Sequence, residues 1–194
     1  MGKIINQALE YLGIKEGTPE FRKLIDRYND TVKPLPRGYK MTYSNAWCCA
    51  FVTLVFSDCG MLDVIGGGEV SCNNLIKIAQ GMGIWIEDGS IRPQPEDLVL
   101  YDWQGTDGLA DHIGIVYMVG ERFNVIEGNY SDSVKIREIS IGDKRIRGFI
   151  RPKYSDAKPT VTPPTVEKPT KTDKEVLEDV IAGLSEIINK LQTL

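Results

Sequence analysis

The chain has 194 residues, 42% of them apolar and 26% charged, which suits one globular domain with a core plus an appendage. No apolar run approaches the ~18–20 residues that cross a bilayer, and Met1-Gly2-Lys3-Ile4-Ile5-Asn6 lacks a signal peptide's hydrophobic stretch, so neither membrane insertion nor an encoded export signal is expected. The formal charge of −4 falls entirely within residues 1–150, since residues 151–194 carry seven basic and seven acidic side chains, and an acidic domain is a poor binder of nucleic acid or anionic membrane.

In chain order, residues 3–13 place Ile4, Ile5, Ala8, Leu9 and Leu12 at helical spacing. Thr18-Pro19-Glu20 reads as an N-cap with proline in the first turn, opening a helix through Phe21, Leu24, Ile25 and Tyr28. A loop rich in proline, glycine and tyrosine (30–43) leads to a central helical segment, Ser44-Asn45-Ala46-Trp47-Cys48-Cys49-Ala50-Phe51-Val52, that runs to about Cys59 and is ended by Gly60. Gly66-Gly67-Gly68 is expected to be a flexible turn, and Ser71 to cap a short helix carrying Leu75, Ile76 and Ala79.

From Asp97 the pattern changes to short β-branched strands: Leu98–Tyr101, His112–Val119, Phe123–Glu127, Val134–Ile139 and Ile146–Ile150. Their short links favour antiparallel pairing, and helices followed by strands predict an α+β domain. Residues 155–172 form a Pro/Thr/Lys linker too poor in apolar residues to pack. In residues 173–194, Leu177, Val180, Leu184, Ile187, Leu191 and Leu194 fall on heptad positions. That amphipathic helix needs a partner, and a second copy of the chain is the expected one.

The four cysteines, Cys48, Cys49, Cys59 and Cys72, are expected to be free thiols. Two are adjacent, no C-x-x-C pair exists, and one histidine cannot complete a zinc site. A cysteine hydrolase needs a thiolate, a base and a group that orients the base. His112, the sole histidine, is the only candidate base of that type. Helical rotation of about 100° per residue places Cys48 amid Phe51, Val52, Val55 and Cys59, on one packing face and in the first turn, with Cys49 toward the edge. Unpaired N–H groups at a helix start favour thiolate, so Cys48 is the better nucleophile. If the His112 and Phe123 segments form a hairpin, Glu127 or Asn129 can accept from the ring nitrogen facing away from the thiol.

Four segments occur in order: Trp47-Cys48-x-x-Phe51-Val52, Glu96-Asp97-Leu98-Val99-Leu100-Tyr101-Asp102-Trp103, Asp111-His112-Ile113-Gly114-Ile115-Val116 and Ile126-Glu127-Gly128-Asn129. Together they resemble the CHAP domain, the cysteine, histidine-dependent amidohydrolase/peptidase, related to NlpC/P60 and papain-like hydrolases. The resemblance spans roughly residues 1–154, and the members that look most alike are phage endolysins and cell-wall hydrolases. It implies a papain-like fold with N-terminal helices on an antiparallel sheet. It also implies Cys48 as nucleophile, His112 as general base and then acid, Glu127 as orienting group and Asn129 as a supporting polar residue. The position after the nucleophile is often alanine in the family but is Cys49 here. Some members bind calcium through an acidic loop before the nucleophile; that region here offers only Asp26, Asp30 and hydroxyls, so no metal and no cofactor are expected.

The activity so implied is hydrolysis of an amide in bacterial peptidoglycan, with N-acetylmuramoyl-L-alanine amidase favoured over stem-peptide or cross-bridge endopeptidase. The backbone N–H of Cys48 would hold the oxyanion, assisted by Tyr43 or Asn45, while Tyr101, Trp103 and Trp47 could line the cleft or pack the core. Two other classes share the frame, an acyltransferase or transglutaminase and a non-catalytic wall-binding module. The opening of the tail resembles small helical wall-binding repeats but lacks their aromatic and glycine continuation. With no export signal in view, synthesis in a host cytoplasm followed by action on the wall after release is expected.

Overall fold

Helices begin where the sequence supplies something to satisfy their first N–H groups. In the computed structural model, which describes residues 2–105 and 108–154, Thr18 Oγ1 accepts from Phe21 N (3.3 Å) and opens α2 (Pro19–Thr31), with Pro19 in the first turn. Ser71 Oγ accepts from Asn74 N (3.4 Å) and opens α4 (Cys72–Gly81). α1 (Lys3–Glu10) takes its cap from far along the chain, the Glu96 carboxylate accepting from Ile4 N and Ile5 N at 3.0 and 3.3 Å. α1 stops short of the expected residue 13. The N–H of Gly13 goes instead to the carbonyl of Val134 (3.0 Å), and the chain runs on to bridge Lys15 with Ser133, which leaves Leu12 exposed.

The central helix, α3 (Cys48–Asp58), departs from its expected amphipathic form. Every residue from Cys48 to Phe56 is buried, because α1, α2 and the sheet all pack on it. A helix that is apolar all round has no single packing face, so its rotation does not distinguish Cys48 from Cys49. The Gly66–Gly68 turn is held rather than loose. It carries Glu69 into the interior, where its carbonyl accepts from Thr53 Oγ1 (2.6 Å) and Cys49 Sγ (3.2 Å) and its carboxylate binds Arg37.

Six antiparallel strands follow: β1 (Trp85–Ile86), β2 (Leu98–Tyr101), β3 (His112–Val119), β4 (Arg122–Glu127), β5 (Lys135–Ser140) and β6 (Ile146–Ile150). Their spatial order is β1-β6-β2-β3-β4-β5, so the last strand lies between the first two. β1, two residues long, was too short to read from sequence. Period-2 alternation splits the apolar residues between two cores. Leu98, Leu100, Ile113, Ile115, Ile126 and Ile150 join the helices, whereas Val99, Tyr101, Val116, Phe123, Val125 and Phe149 build a second cluster. The α+β class and antiparallel sheet are as expected. The linker 155–172, the helix 173–194 and Asp107 lie outside the described residues.

Candidate active site

Cys48 is the first residue of α3, and α3 differs from α2 and α4 at its start. Its N-cap is Trp47, whose side chain makes no capping bond, and the first helical hydrogen bond is Phe51 N to Trp47 O (2.8 Å). The leading N–H groups are therefore left for something else. Trp47 is fully buried, packs on Phe21 and Phe51, and donates Nε1–H to Glu16 (3.0 Å), so it is a core residue and not a cleft wall.

His112 opens β3, which packs on α3, and its ring interacts with the Cys48 thiol. On the other side, ring Nε2 lies 3.0 Å from Glu127 Oε2. An ionised carboxylate can only accept, so Nε2 carries the proton and Nδ1 is the nitrogen available to the thiol. Glu127 is wholly buried, and both of its oxygens also accept from Nε of Arg137, at 2.8 and 2.9 Å. The result is a line of groups, thiol, imidazole, carboxylate and guanidinium.

Two glycines make this line possible. Gly114 and His112 share a strand face, and a Cβ at Gly114 would stand 2.6 Å from Glu127 Cγ and 2.4 Å from Val125 Cγ1. Only a residue without a side chain lets the carboxylate lie beside β3. A Cβ at Gly128 would stand 2.5 Å from Phe51 Cβ, so glycine there lets the turn after β4 approach the start of α3. Asn129 follows with φ +60 and lines the pocket beside His112.

The electrostatics are set by burial and by these partners. Burial alone would lower the affinity of His112 for its proton, but its bonds to Cys48 and Glu127 outweigh that and raise its pKa from 6.5 to about 9. The Cys48 thiol, 6% exposed, is pushed up by its contact with the Cys72 thiol and by burial, while His112 pulls it down. Proton transfer from Cys48 thus depends on the imidazole next to it. The Cys49 thiol donates to Glu69 O and also meets Cys72, and no bond to His112 is among its interactions. All four cysteines are free and buried.

The other residues singled out from sequence are dispersed. Tyr101 does not line a cleft: it is fully buried, pairs with His112 across the β2–β3 ladder, and lays its ring near that of His112 (6.0 Å, 25°). Tyr43 is exposed, but its hydroxyl donates to Asp26 (2.8 Å) and its ring sits against Arg22. Asn45 spends its side-chain oxygen on Thr42 N (2.8 Å) in a local turn. Neither is shown reaching Cys48. Trp103 does line the pocket of about 250 Å³ beside His112. Among the described residues, no cluster of three or more His, Cys, Asp or Glu side chains is arranged to hold a metal ion.

Arg137 and Cys72 were not anticipated. Arg137 sits on an edge strand and crosses to Glu127 from a position opposite Val125, and the only trace in the sequence is that strand alternation sets residues 135, 137 and 139 on one face. Cys72 begins α4, 24 residues from Cys48, and nothing local announces their meeting. A two-way bond from Asn73 to Ala110 (3.0 and 2.9 Å) ties the start of α4 to the loop before His112.

With this geometry in hand, residues 38–129 match the family model described as the CHAP domain. No curated protein matches the chain. Among solved structures it is similar to the one described as "The crystal structure of Ly7917", with 17% identity and a TM-score of 0.40, over 76% of this chain and 62% of that one.

Proposed function

From the match of residues 38–129 to the CHAP-domain family model, we propose that the protein is a cysteine-dependent peptidoglycan hydrolase cutting an amide bond of the bacterial cell wall. The observation that carries this reading is the buried line from the Cys48 thiol through His112 and Glu127 to Arg137, opening beside a polar pocket. It supplies a nucleophile, a base of defined tautomer and a fixed counter-charge.

In the proposed reaction, His112 Nδ1 takes the proton of Cys48 and the thiolate attacks the amide carbonyl. The free N–H groups at the start of α3 receive the developing oxyanion, which costs no reorganisation because the helix is already uncapped there. Glu127 stabilises the imidazolium through Nε2. His112 then protonates the leaving amine, and water, deprotonated by the same imidazole, hydrolyses the thioester. Asn129, at the pocket edge, supports the substrate beside the ring.

The amide we favour is that between muramic acid and L-alanine, as in an endolysin-type amidase. The test is digestion of purified sacculi by wild-type protein and by Cys48→Ala and His112→Ala, followed by mass spectrometry. Wild-type protein should release stem peptides with a new L-alanine amine, and both variants should be folded and inactive. Turnover by folded Cys48→Ala overturns the reading. A new amine elsewhere in the peptide makes the enzyme an endopeptidase, and capture of the acyl group by an added amine makes it a transferase.

A further inference from the structure

The pocket beside His112 holds a guanidinium whose bonding is incomplete. Arg137 meets Glu127 through Nε alone; among the described residues Nη1 and Nη2 have no hydrogen-bond partner, although the side chain is only 19% exposed. The guanidinium is fixed nonetheless. It lies 3.8 Å from the centroid of the Tyr130 ring and 4.5 Å from that of Trp103, and all three residues line the pocket. A planar fork held by Nε and by two aromatic faces, with its outer edge open, matches a carboxylate.

The surrounding charges agree. Asp111 is the carboxylate that also lines the pocket, and each of its oxygens accepts a backbone N–H, from Trp103 (3.1 Å) and Gln104 (2.9 Å). Glu127 is shared between His112 and Arg137. Arg145 lies against Trp103 (4.6 Å) while paired with Asp143, and Lys135 faces Tyr130 (5.6 Å).

Direction along the substrate follows from the chemistry. The scissile carbonyl carbon must meet Cys48 and the leaving nitrogen must meet His112, so the chain beyond that nitrogen runs from His112 into this pocket. We propose that Arg137 reads a free carboxylate on the leaving-amine side of the scissile bond, making the enzyme selective for peptidoglycan whose stem peptide carries carboxylate there over peptidoglycan in which it is a carboxamide. This rests on the hydrolase reading above and adds its substrate preference.

The test uses two preparations of the same purified sacculi, one untreated and one with its carboxylates converted to carboxamides by carbodiimide and ammonia. The rate of new amine release is measured with full-length protein. Wild type should cut the acid form about ten-fold faster, the order expected for one charge-assisted hydrogen-bonding pair. In Arg137→Lys the ratio should collapse to about two or less, whereas a residue that only holds Glu127 would slow both substrates alike and leave the ratio intact. Because that variant can lose turnover altogether, binding of soluble acid and amide muropeptides to Cys48→Ala, with and without Arg137→Lys, gives the same ratio without catalysis. Equal rates on both sacculi, or a preference that survives Arg137→Lys, overturn the inference and leave hydrolysis standing. Failure of wild type on both preparations removes the preference and the hydrolase reading together.

Discussion

A single N–H of Arg137 reaches both oxygens of Glu127, at 2.8 and 2.9 Å, so the one carboxylate behind the imidazole is shared between a titratable ring and a cation that keeps its charge. The guanidinium gives the wholly buried Glu127 a charged partner whether His112 is neutral or protonated. Arg137→Met should therefore cost about 3–5 kcal/mol, as removal of one partner from a buried pair does. Chemical denaturation measures it. The double variant Arg137→Met/Glu127→Gln should lose less than the two single losses combined, because no orphaned charge remains.

Glu127→Gln should leave the sheet intact while lowering kcat by about a hundred-fold, since an amide can orient the ring but cannot balance an imidazolium. KM on soluble muropeptides should change little. In the same variant the His112 pKa should move down from about 9, which NMR titration of the one imidazole in the chain reads directly.

His112 also ties stability to pH. Its pKa is raised on folding from 6.5 to about 9, so the folded state binds the proton more tightly. The stabilisation is fully present below about pH 6.5 and is lost as pH rises through about 9. Urea melts of wild type and His112→Gln should differ most near pH 6 and converge above pH 9. A gap that widens with pH would contradict the bonding described for the ring.

Gly114→Ala should impair activity more than stability. Its new Cβ meets Val125 Cγ1 and Glu127 Cγ, so the strands must part or the carboxylate must move. Overpacking of this kind costs about 1–3 kcal/mol. The displaced carboxylate should add a fall in kcat at temperatures where circular dichroism still shows a folded protein.

Cys48 and Cys49 separate by what their sulfurs face. Cys49 donates to Glu69 O in the interior, and Cys48 meets His112. Cys49→Ala should keep most wall-lytic activity with about 1 kcal/mol of destabilisation from the lost bond. Cys48→Ala should keep the fold and abolish lysis. The reverse pattern in sacculus digestion would make Cys49 the nucleophile.

Local chemistry was readable in the sequence and distant chemistry was not. Thr18 and Ser71 cap helices as expected because a cap acts within three residues. The four longer strands and β2, each expected from β-branched runs, form to within a residue because turn signals bound them. The α1 boundary failed because Val134, 121 residues away, takes the N–H of Gly13. α3 misled because a helix buried on every side erases the periodicity used to orient it. Tyr101, expected at a surface, falls on the second core because the ladder sets it opposite His112. His112 and Glu127 could be paired from a presumed hairpin, but Arg137 arrives from an edge strand and Cys72 from another helix.

The placing of β6 between β1 and β2 bears on how the chain is made. Val99 and Leu100 wait for Phe149 and Gly148, which leave the ribosome about fifty residues later. Until they do, β2 has one flank open, and a nascent chain that already contains Cys48, His112 and Glu127 has an unfinished sheet beneath them. A fragment cut to residues 38–129 should therefore aggregate through that open flank, and catalytic competence should appear only once synthesis has passed Ile150.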